Sequence, residues 1–298
     1  MAGVLVSGAV GFIGSHLVRR LVGEGAAVHA LLREGSDASC LAELGGTVTL
    51  HRHDGSTDGL TDILADARPE TVYHLAAHFV AEHQAGDIVP LIDSNLRFAT
   101  QLAEAAVATG VHDFVNVGTA WEHFEDGDDN PVCLYAATKH ALESILRFYV
   151  EARGLRVVTL KLFDSYGPKD PRRKLFSILR EAAAEGQRLA LSPGAQLVDI
   201  VYVDDIIEAL FVATRRLADG EVEGMERYAV SSGNPLPLRE LVETWARVTG
   251  KALDIEWGGR PYRAREVMVP WRTGARLPRW RLAVSLEDGI ARMEAEPV

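Results

Sequence analysis

The first fourteen residues constrain the fold of this chain more than any other stretch. Val4-Leu5-Val6 is an apolar run of the length of a buried strand. Ser7-Gly8-Ala9-Val10-Gly11-Phe12-Ile13-Gly14 follows at once. From there to Val22 the periodicity is helical, with Phe12, Ile13, Leu17 and Leu21 on one side and Arg19 and Arg20 off it. When a strand passes straight into a helix, glycines three apart take separate tasks. Gly8 permits the tight turn, Gly11 lets a ligand approach the backbone, and Gly14 lets the helix pack on the strand. The free N–H groups and positive dipole end of that helix then suit the pyrophosphate of a dinucleotide.

The alternation continues. Strands are expected at 27–32, 48–50, 71–75, 114–117 and 156–162, with helices at 36–44, 60–65, 88–109 and 135–152. Gly110 and Gly154 stop the two long helices where a left-handed cap belongs. This is the pattern of an α/β protein: a Rossmann-type, doubly wound parallel sheet covered by helices on both faces. After Gly167-Pro168 the rhythm changes. Helices are expected at 175–185, 238–249 and 286–293, an extended stretch at 198–203, and a strand at 228–230. Asp204-Asp205 reads as the cap of a helix reaching about Leu217. A dinucleotide-binding domain over 1–166, to which 196–230 returns, and a smaller discontinuous C-terminal substrate-binding region (167–195 and 231–298) follow from this change of rhythm.

A net charge of −11 argues against nucleic acid as a general partner. Only Cys40 and Cys133 occur, so no disulfide framework is implied. No apolar run reaches the length of a membrane span, and the first residues read as a strand rather than a signal peptide. A cytoplasmic protein without membrane contact is expected. The ten histidines, among them His51, His53, His74, His78 and His123, show no metal-ligand spacing, so no metal is expected.

Tyr135-Ala136-Ala137-Thr138-Lys139 is the second signal. Residues four apart share a helix face. An ammonium beside a phenol favours the phenolate and brings its pKa down from about 10. Such a phenol can exchange a proton with a sugar hydroxyl or ketone.

With these residues in hand, the sequence resembles the extended short-chain dehydrogenase/reductases of the NAD-dependent epimerase/dehydratase family, which act on nucleotide sugars. The resemblance runs the whole length: the glycine turn, His74-Leu75-Ala76-Ala77, Asn95, Thr119, Tyr135-x-x-x-Lys139, Tyr166-Gly167-Pro168 and Tyr202-Val203-Asp204-Asp205. The tail Arg260-Pro261-Tyr262-Arg263-Ala264-Arg265-Glu266-Val267-Met268 is most similar to the abequose-synthase branch, which reduces a nucleotide-linked 4-keto-6-deoxyhexose. The resemblance implies that Thr119 bonds the substrate oxygen, Tyr135 exchanges its proton, and Lys139 holds the nicotinamide ribose and tunes Tyr135. It places Gly8, Gly11, Phe12, Ile13, Gly14, Leu75, Ala76 and Ala77 against the cofactor and Asp54 near its adenine, although Asp54 reads equally as a turn aspartate. It also implies a homodimer built from the helices at 88–109 and 135–152, with Leu142, Ile145, Leu146 and Phe148 as exposed-looking positions.

The second strand ends Leu31-Leu32-Arg33-Glu34-Gly35-Ser36. Arg33 can pair with a 2′-phosphate and Ser36 can add a hydrogen bond, which favours NADP over NAD, with Glu34 acting against it. Dehydratases of the family carry an acidic pair directly after the threonine. Here Ala120 and Trp121 stand there and Glu122 falls one step late, so dehydration is disfavoured. A 4-ketoreductase using NADPH is expected, with a 4-epimerase holding NAD, a non-catalytic binding protein, or a carbonyl reductase of a non-nucleotide substrate as alternatives. Lys161 and Asp164 replace the usual Arg and Asn, and Val198 replaces an arginine that grips the diphosphate in the family. Arg172, Arg173, Lys174 and, above all, Arg263 are candidate substitutes. Trp121, His78, Phe79 and His83 are placed around the sugar, with Asp164 a further substrate contact.

Overall fold

The computed structural model describes residues 3–296. Strand β1 (Gly3–Ser7) runs into α1 (Phe12–Gly23), followed by β2 (Ala27–Arg33), a 3-10 stretch (Ser39–Thr47) and β3 (Val48–His53). Then come α2 (Thr57–Ala67), β4 (Thr71–His74) and a long helix of three parts: α3 (Ile88–Ile92), a π turn (Asp93–Arg97) and α4 (Phe98–Ala108). Strand β5 (Asp113–Thr119), α5 (Leu134–Arg153) and β6 (Arg156–Leu162) complete the first half. The second half holds β7 (Asp164–Tyr166), α6 (Leu175–Glu185), β8 (Arg188–Leu191), β9 (Leu197–Val198), β10 (Ile200–Tyr202) and α7 (Val203–Ala218). It ends with β11 (Met225–Val230), β12 (Leu236–Pro237), α8 (Leu238–Thr249), β13 (Asp254–Trp257) and α9 (Leu286–Ala295).

Seven strands form one sheet in the order β3-β2-β1-β4-β5-β6-β11, every pair parallel. This is the doubly wound α/β architecture expected from the sequence. A sheet buried on both faces requires apolar side chains on both, and the pleat distributes them. Val4 and Val6 of β1, Tyr73 of β4 and Val115 and Val117 of β5 face the core under α1 and α7. Leu5, Val72 and Phe114, one residue out of phase, face the core under α2, α4 and α5. Strand order reverses between β1 and β4, and a cleft opens beyond their carboxyl ends. The remaining strands pair in twos, β10 with β7, β12 with β9 and β13 with β8, and of these β7, β9 and β10 line the far side of that cleft with α6.

Several expectations are corrected. The helix at 36–44 is a 3-10 stretch beginning at Ser39. Asp204 and Asp205 do not cap α7; they lie in its first turn behind Tyr202, which makes no side-chain cap. The buried Asp205 carboxylate instead accepts the N–H groups of Ala283 and Val284, pinning the C-terminal segment to the sheet domain. Leu142 and Leu146 are core residues rather than exposed ones, and Ile145 is half-buried against them. Among the described residues no helix is long and apolar enough to cross a membrane.

Candidate active site

The glycine turn forms as its spacing requires. Gly8 has φ +74°, and a Cβ there would lie 2.6 Å from the Ala76 nitrogen, so β1 and the end of β4 meet through bare backbone. A Cβ on Gly14 would lie 2.0 Å from the Gly8 carbonyl oxygen, which settles why the first turn of α1 needs glycine there. Gly11 occupies the N-cap of α1 and offers no side-chain cap, leaving the first helical N–H groups open to the cleft. Gly8, Gly11, Phe12, Ile13, Gly14, Leu75 and Ala77 all line one cavity of about 670 Å³. A cradle that a single Cβ would block, at an uncapped helix start, fits a dinucleotide pyrophosphate.

Thr119, Tyr135 and Lys139 line the same cavity. Thr119 ends β5 and starts a 3-10 turn, its Oγ1 accepting the Trp121 N–H at 3.2 Å. With that oxygen occupied by a donor, the hydroxyl proton is left to donate into the cavity. Tyr135 begins α5, packed edge-on against Phe79 with ring centroids 4.9 Å apart. Among the described residues its hydroxyl has no partner. Lys139 is buried one turn later and its Nζ donates to the Val117 carbonyl at 2.9 Å.

The electrostatics differ from the sequence expectation. Burial pushes the Tyr135 phenol well above its ordinary pKa, and the Glu122 carboxylate pushes it further. Arg172, rather than Lys139, is the cation that acts against this rise. Burial brings Lys139 itself down to about 8, against a smaller opposing effect of Glu122. At Tyr135, burial and Glu122 both favour the protonated phenol over the phenolate.

Asn95 sits fully buried in the π turn of the long helix. Its Oδ1 accepts the His78 N–H at 2.7 Å, and its Nδ2 donates to the His78 carbonyl and the Thr138 hydroxyl. Thr138 donates in turn to the Tyr135 carbonyl at 2.7 Å. One carboxamide thus ties the loop after β4 to the start of α5. The periodicity reads a uniform helix over 88–109; the extra residue per turn that aims Asn95 is visible only in the structure.

On the substrate side the cavity is walled by Phe79, Trp121, Phe124, Phe163 and Trp271. Trp271 stacks on His123 at 4.0 Å. Asp164 lines the cavity and is paired with Lys174 at 3.3 Å, which offsets the repulsion it would exert on a diphosphate. Arg172 also lines it, engaged by Asp170 and Ser165 and stacked over Phe12. Arg173 reaches out to Glu181. Arg263 lies over the Trp121 ring at 5.8 Å, its half-exposed side chain bridged to Glu266 at 3.8 Å. Of the other sequence candidates, His78 is held by its main chain and neither it nor His83 lines the cavity. Phe124, Phe163, Trp271 and Arg265 were not singled out by sequence. They come from loops and a tail without period, and only their aromatic or basic character marked them.

Arg33 ends β2, Ser36 lies in the turn after it and Asp54 follows β3, all three outside the cavity. Arg52 donates to the carbonyls of Arg33 and Ser36, which fixes the turn between them. Among the described residues no acid pairs with the Arg33 guanidinium. Asp54 takes the N–H and hydroxyl of Ser56 on Oδ1, and these hydrogen bonds hold its carboxyl below the usual range. It serves the turn that starts α2.

Behind Thr119, Glu122, His140 and Glu143 bring ligand-type atoms within 4.8 Å of one another. The Lys161 ammonium sits between the two carboxylates, 2.9 Å from Glu122 and 3.1 Å from Glu143. The place of a cation is filled by a side chain.

A doubly wound sheet with a glycine-turn dinucleotide cradle and a Thr/Tyr/Lys wall defines a short-chain dehydrogenase/reductase type of enzyme. Residues 4–228 match the model of the NAD dependent epimerase/dehydratase family, and the chain belongs to that family. A CDP-abequose synthase of Yersinia pseudotuberculosis is 27% identical over 90% of this chain and 91% of its own. A UDP-glucose 4-epimerase of Mycolicibacterium smegmatis is 31% identical over 97% of this chain and 96% of its own. Among solved structures, the UDP-glucose 4-epimerase of Thermus thermophilus in complex with NAD superposes with a TM-score of 0.81 at 27% identity, covering 99% of this chain and 98% of that one.

Proposed function

We propose that the protein reduces the 4-keto group of a nucleotide-linked 4-keto-6-deoxyhexose, on dTDP or CDP, with NADPH as the preferred reductant. The observation that carries this reading is geometric: Thr119 and Tyr135 line the same cavity as the glycine cradle, and burial pushes the Tyr135 phenol up, toward an acid. A reductase needs a proton donor at the start of turnover, whereas an epimerase needs a base there. Two features support it. The aromatic wall beside Tyr135 suits a sugar that carries a methyl group at C6 rather than a hydroxymethyl. Ala120 and Trp121 follow Thr119 where the family's dehydratases carry an acidic pair, and Glu122 is buried, which disfavours elimination of water.

The glycine cradle, Leu75, Ala76, Ala77 and Lys139 would hold the dinucleotide, which supplies the hydride when bound. Thr119 donates to the carbonyl oxygen and aligns the ketone, and Tyr135 delivers its proton to that oxygen as negative charge grows there. The unpaired Arg33 on a turn braced by Arg52 favours a 2′-phosphate, with Ser36 as a second donor. Arg263 and Lys174 take the diphosphate in place of an arginine at Val198. Cytoplasmic location agrees with two unpaired thiols. A homodimer through α3 and α5 agrees with the apolar side chains these helices expose, Val89 and Phe148 foremost.

A 4-epimerase with tightly held NAD is the second reading, favoured by similarity to the M. smegmatis protein. Following NADPH and NADH absorbance with a dTDP- or CDP-4-keto-6-deoxyglucose separates the two. Steady NADPH consumption, with NADH much slower, is expected. No net consumption, together with NAD released on denaturation, would overturn the reductase reading.

A further inference from the structure

The proposed reaction leaves unused a buried ion network behind the Thr119 wall. Glu122 is fully buried. Its Oε1 accepts the Thr119 N–H at 2.9 Å and its Oε2 meets the Lys161 ammonium at 2.9 Å. Lys161, also fully buried on β6, reaches Glu143 at 3.1 Å and the His123 Nε2 at 2.8 Å. Arg227 of β11 closes the set on Glu143 at 2.6 Å. Two carboxylates face two cations, and His123 is kept toward neutral, by burial first and by Lys161 next. His140 approaches Glu122 at 3.6 Å and turns its other nitrogen to Asp129.

Stability is a poor explanation for such a set. Well-packed apolar residues in place of buried ion pairs are often neutral or stabilising. Geometry offers a better one. Thr119 and Glu122 form a reciprocal box around the 3-10 turn Ala120–Glu122: the Thr119 oxygen accepts main-chain N–H groups of the turn, and the Glu122 carboxylate accepts the Thr119 N–H. The first bond orients the Thr119 hydroxyl and the second holds its backbone. A Cβ on Gly118 would lie 3.0 Å from Glu122 Oε1, so glycine there lets the carboxylate sit close against β5 without being pushed aside. Lys161 meets the other oxygen and balances its buried charge.

We propose that Glu122 is a positioning residue: its side-chain oxygen, accepting the Thr119 N–H, fixes the backbone of Thr119 so that the Thr119 hydroxyl donates to the substrate carbonyl oxygen, and Lys161 balances the buried charge. This rests on the reduction proposed above for its kinetic consequence, but not for the clamp itself.

Two charge-balanced double variants isolate the hydrogen bond from the charge. Glu122→Gln with Lys161→Met keeps an acceptor for the Thr119 N–H, and Glu122→Met with Lys161→Met removes it at nearly equal size. Both leave Glu143 with Arg227. The Gln variant is expected to stay within about fivefold of wild-type kcat. The Met variant should lose about 100-fold in kcat, the scale of a displaced oxyanion donor, with KM and cofactor affinity within about twofold of the Gln variant. Equal kcat in the two would overturn the proposal. A second readout needs no substrate: hydrogen exchange of the Thr119 amide in threonine-labelled protein, slow with Gln and fast with Met. Equal protection would overturn the clamp. Unequal protection without turnover of any 4-keto sugar would support the clamp and overturn the substrate reading. If the double variants do not melt cooperatively, Glu122→Gln and Glu122→Met alone, with Lys161 in place, are read in the same way.

Discussion

At the scale of single residues, the site is decided by which interaction wins at two side chains. For Tyr135 burial outweighs every neighbouring cation, so the phenol stays protonated through the physiological range. Tyr135→Phe is expected to lower kcat by about 10²–10⁴-fold, the usual contribution of a positioned acid, while titration of the dinucleotide gives an unchanged affinity. Full turnover in that variant would remove Tyr135 from the chemistry. Lys139 gives the pH dependence. Its pKa is lowered to about 8, so the ammonium is charged below that pH and neutral above it. Affinity for an anionic dinucleotide should therefore decline as pH rises through about 8. In Lys139→Met the affinity should be weak and flat over the same range. A wild-type affinity that does not change across this pH would show that the Lys139 charge takes no part. The identities of both residues were legible in the Tyr-x-x-x-Lys spacing. Their protonation was not, because desolvation depends on what packs around them.

At the scale of elements, the turn from β1 into α1 shows how strictly a local motif can be enforced. Alanine favours a helix over glycine by about 1 kcal/mol. At Gly14 that gain is overwhelmed, because the new Cβ would meet the Gly8 carbonyl at 2.0 Å. Overpacking of this kind costs about 1–3 kcal/mol. Gly14→Ala should melt at lower temperature and lose more than about tenfold in dinucleotide affinity, measurable by calorimetry. Wild-type affinity would mean that the helix start does not carry the phosphates. The long helix teaches the converse. Periodicity reads 88–109 as uniform, yet a π turn at Asp93–Arg97 directs Asn95 to His78 and Thr138. Pro90 fits in the first turn of α3, where its missing N–H has no intrahelical partner to lose.

At the scale of the whole molecule, an apolar patch remains outside the cores. Val89 is 66% and Phe148 58% exposed, with Ile88 and Ile92 beside Val89 on α3. A second copy covering this patch would bury it from both sides. Val89→Glu with Phe148→Glu is expected to convert a dimer into a folded monomer, seen by sedimentation velocity with an unchanged circular dichroism spectrum. A wild-type protein sedimenting as a monomer would sink the dimer.

The cavity itself is a whole-molecule property. It joins the glycine turn, the end of β5, the start of α5, the 163–180 stretch and the tail around Trp271. The sequence alone determined the doubly wound sheet, the glycine turn and the placing of Tyr135 and Lys139 four apart on one helix. Those rest on interactions between residues a few positions apart: pleat, helical period, and a turn that only glycine can make. Tertiary structure alone decided that Lys174 neutralises Asp164, that Lys161 fills the space between Glu122 and Glu143, and that Asp205 anchors the tail. Each of these pairs charged or polar groups from separate elements, ten or more residues apart. Their energies depend on distance and desolvation, and neither is set until the layers close.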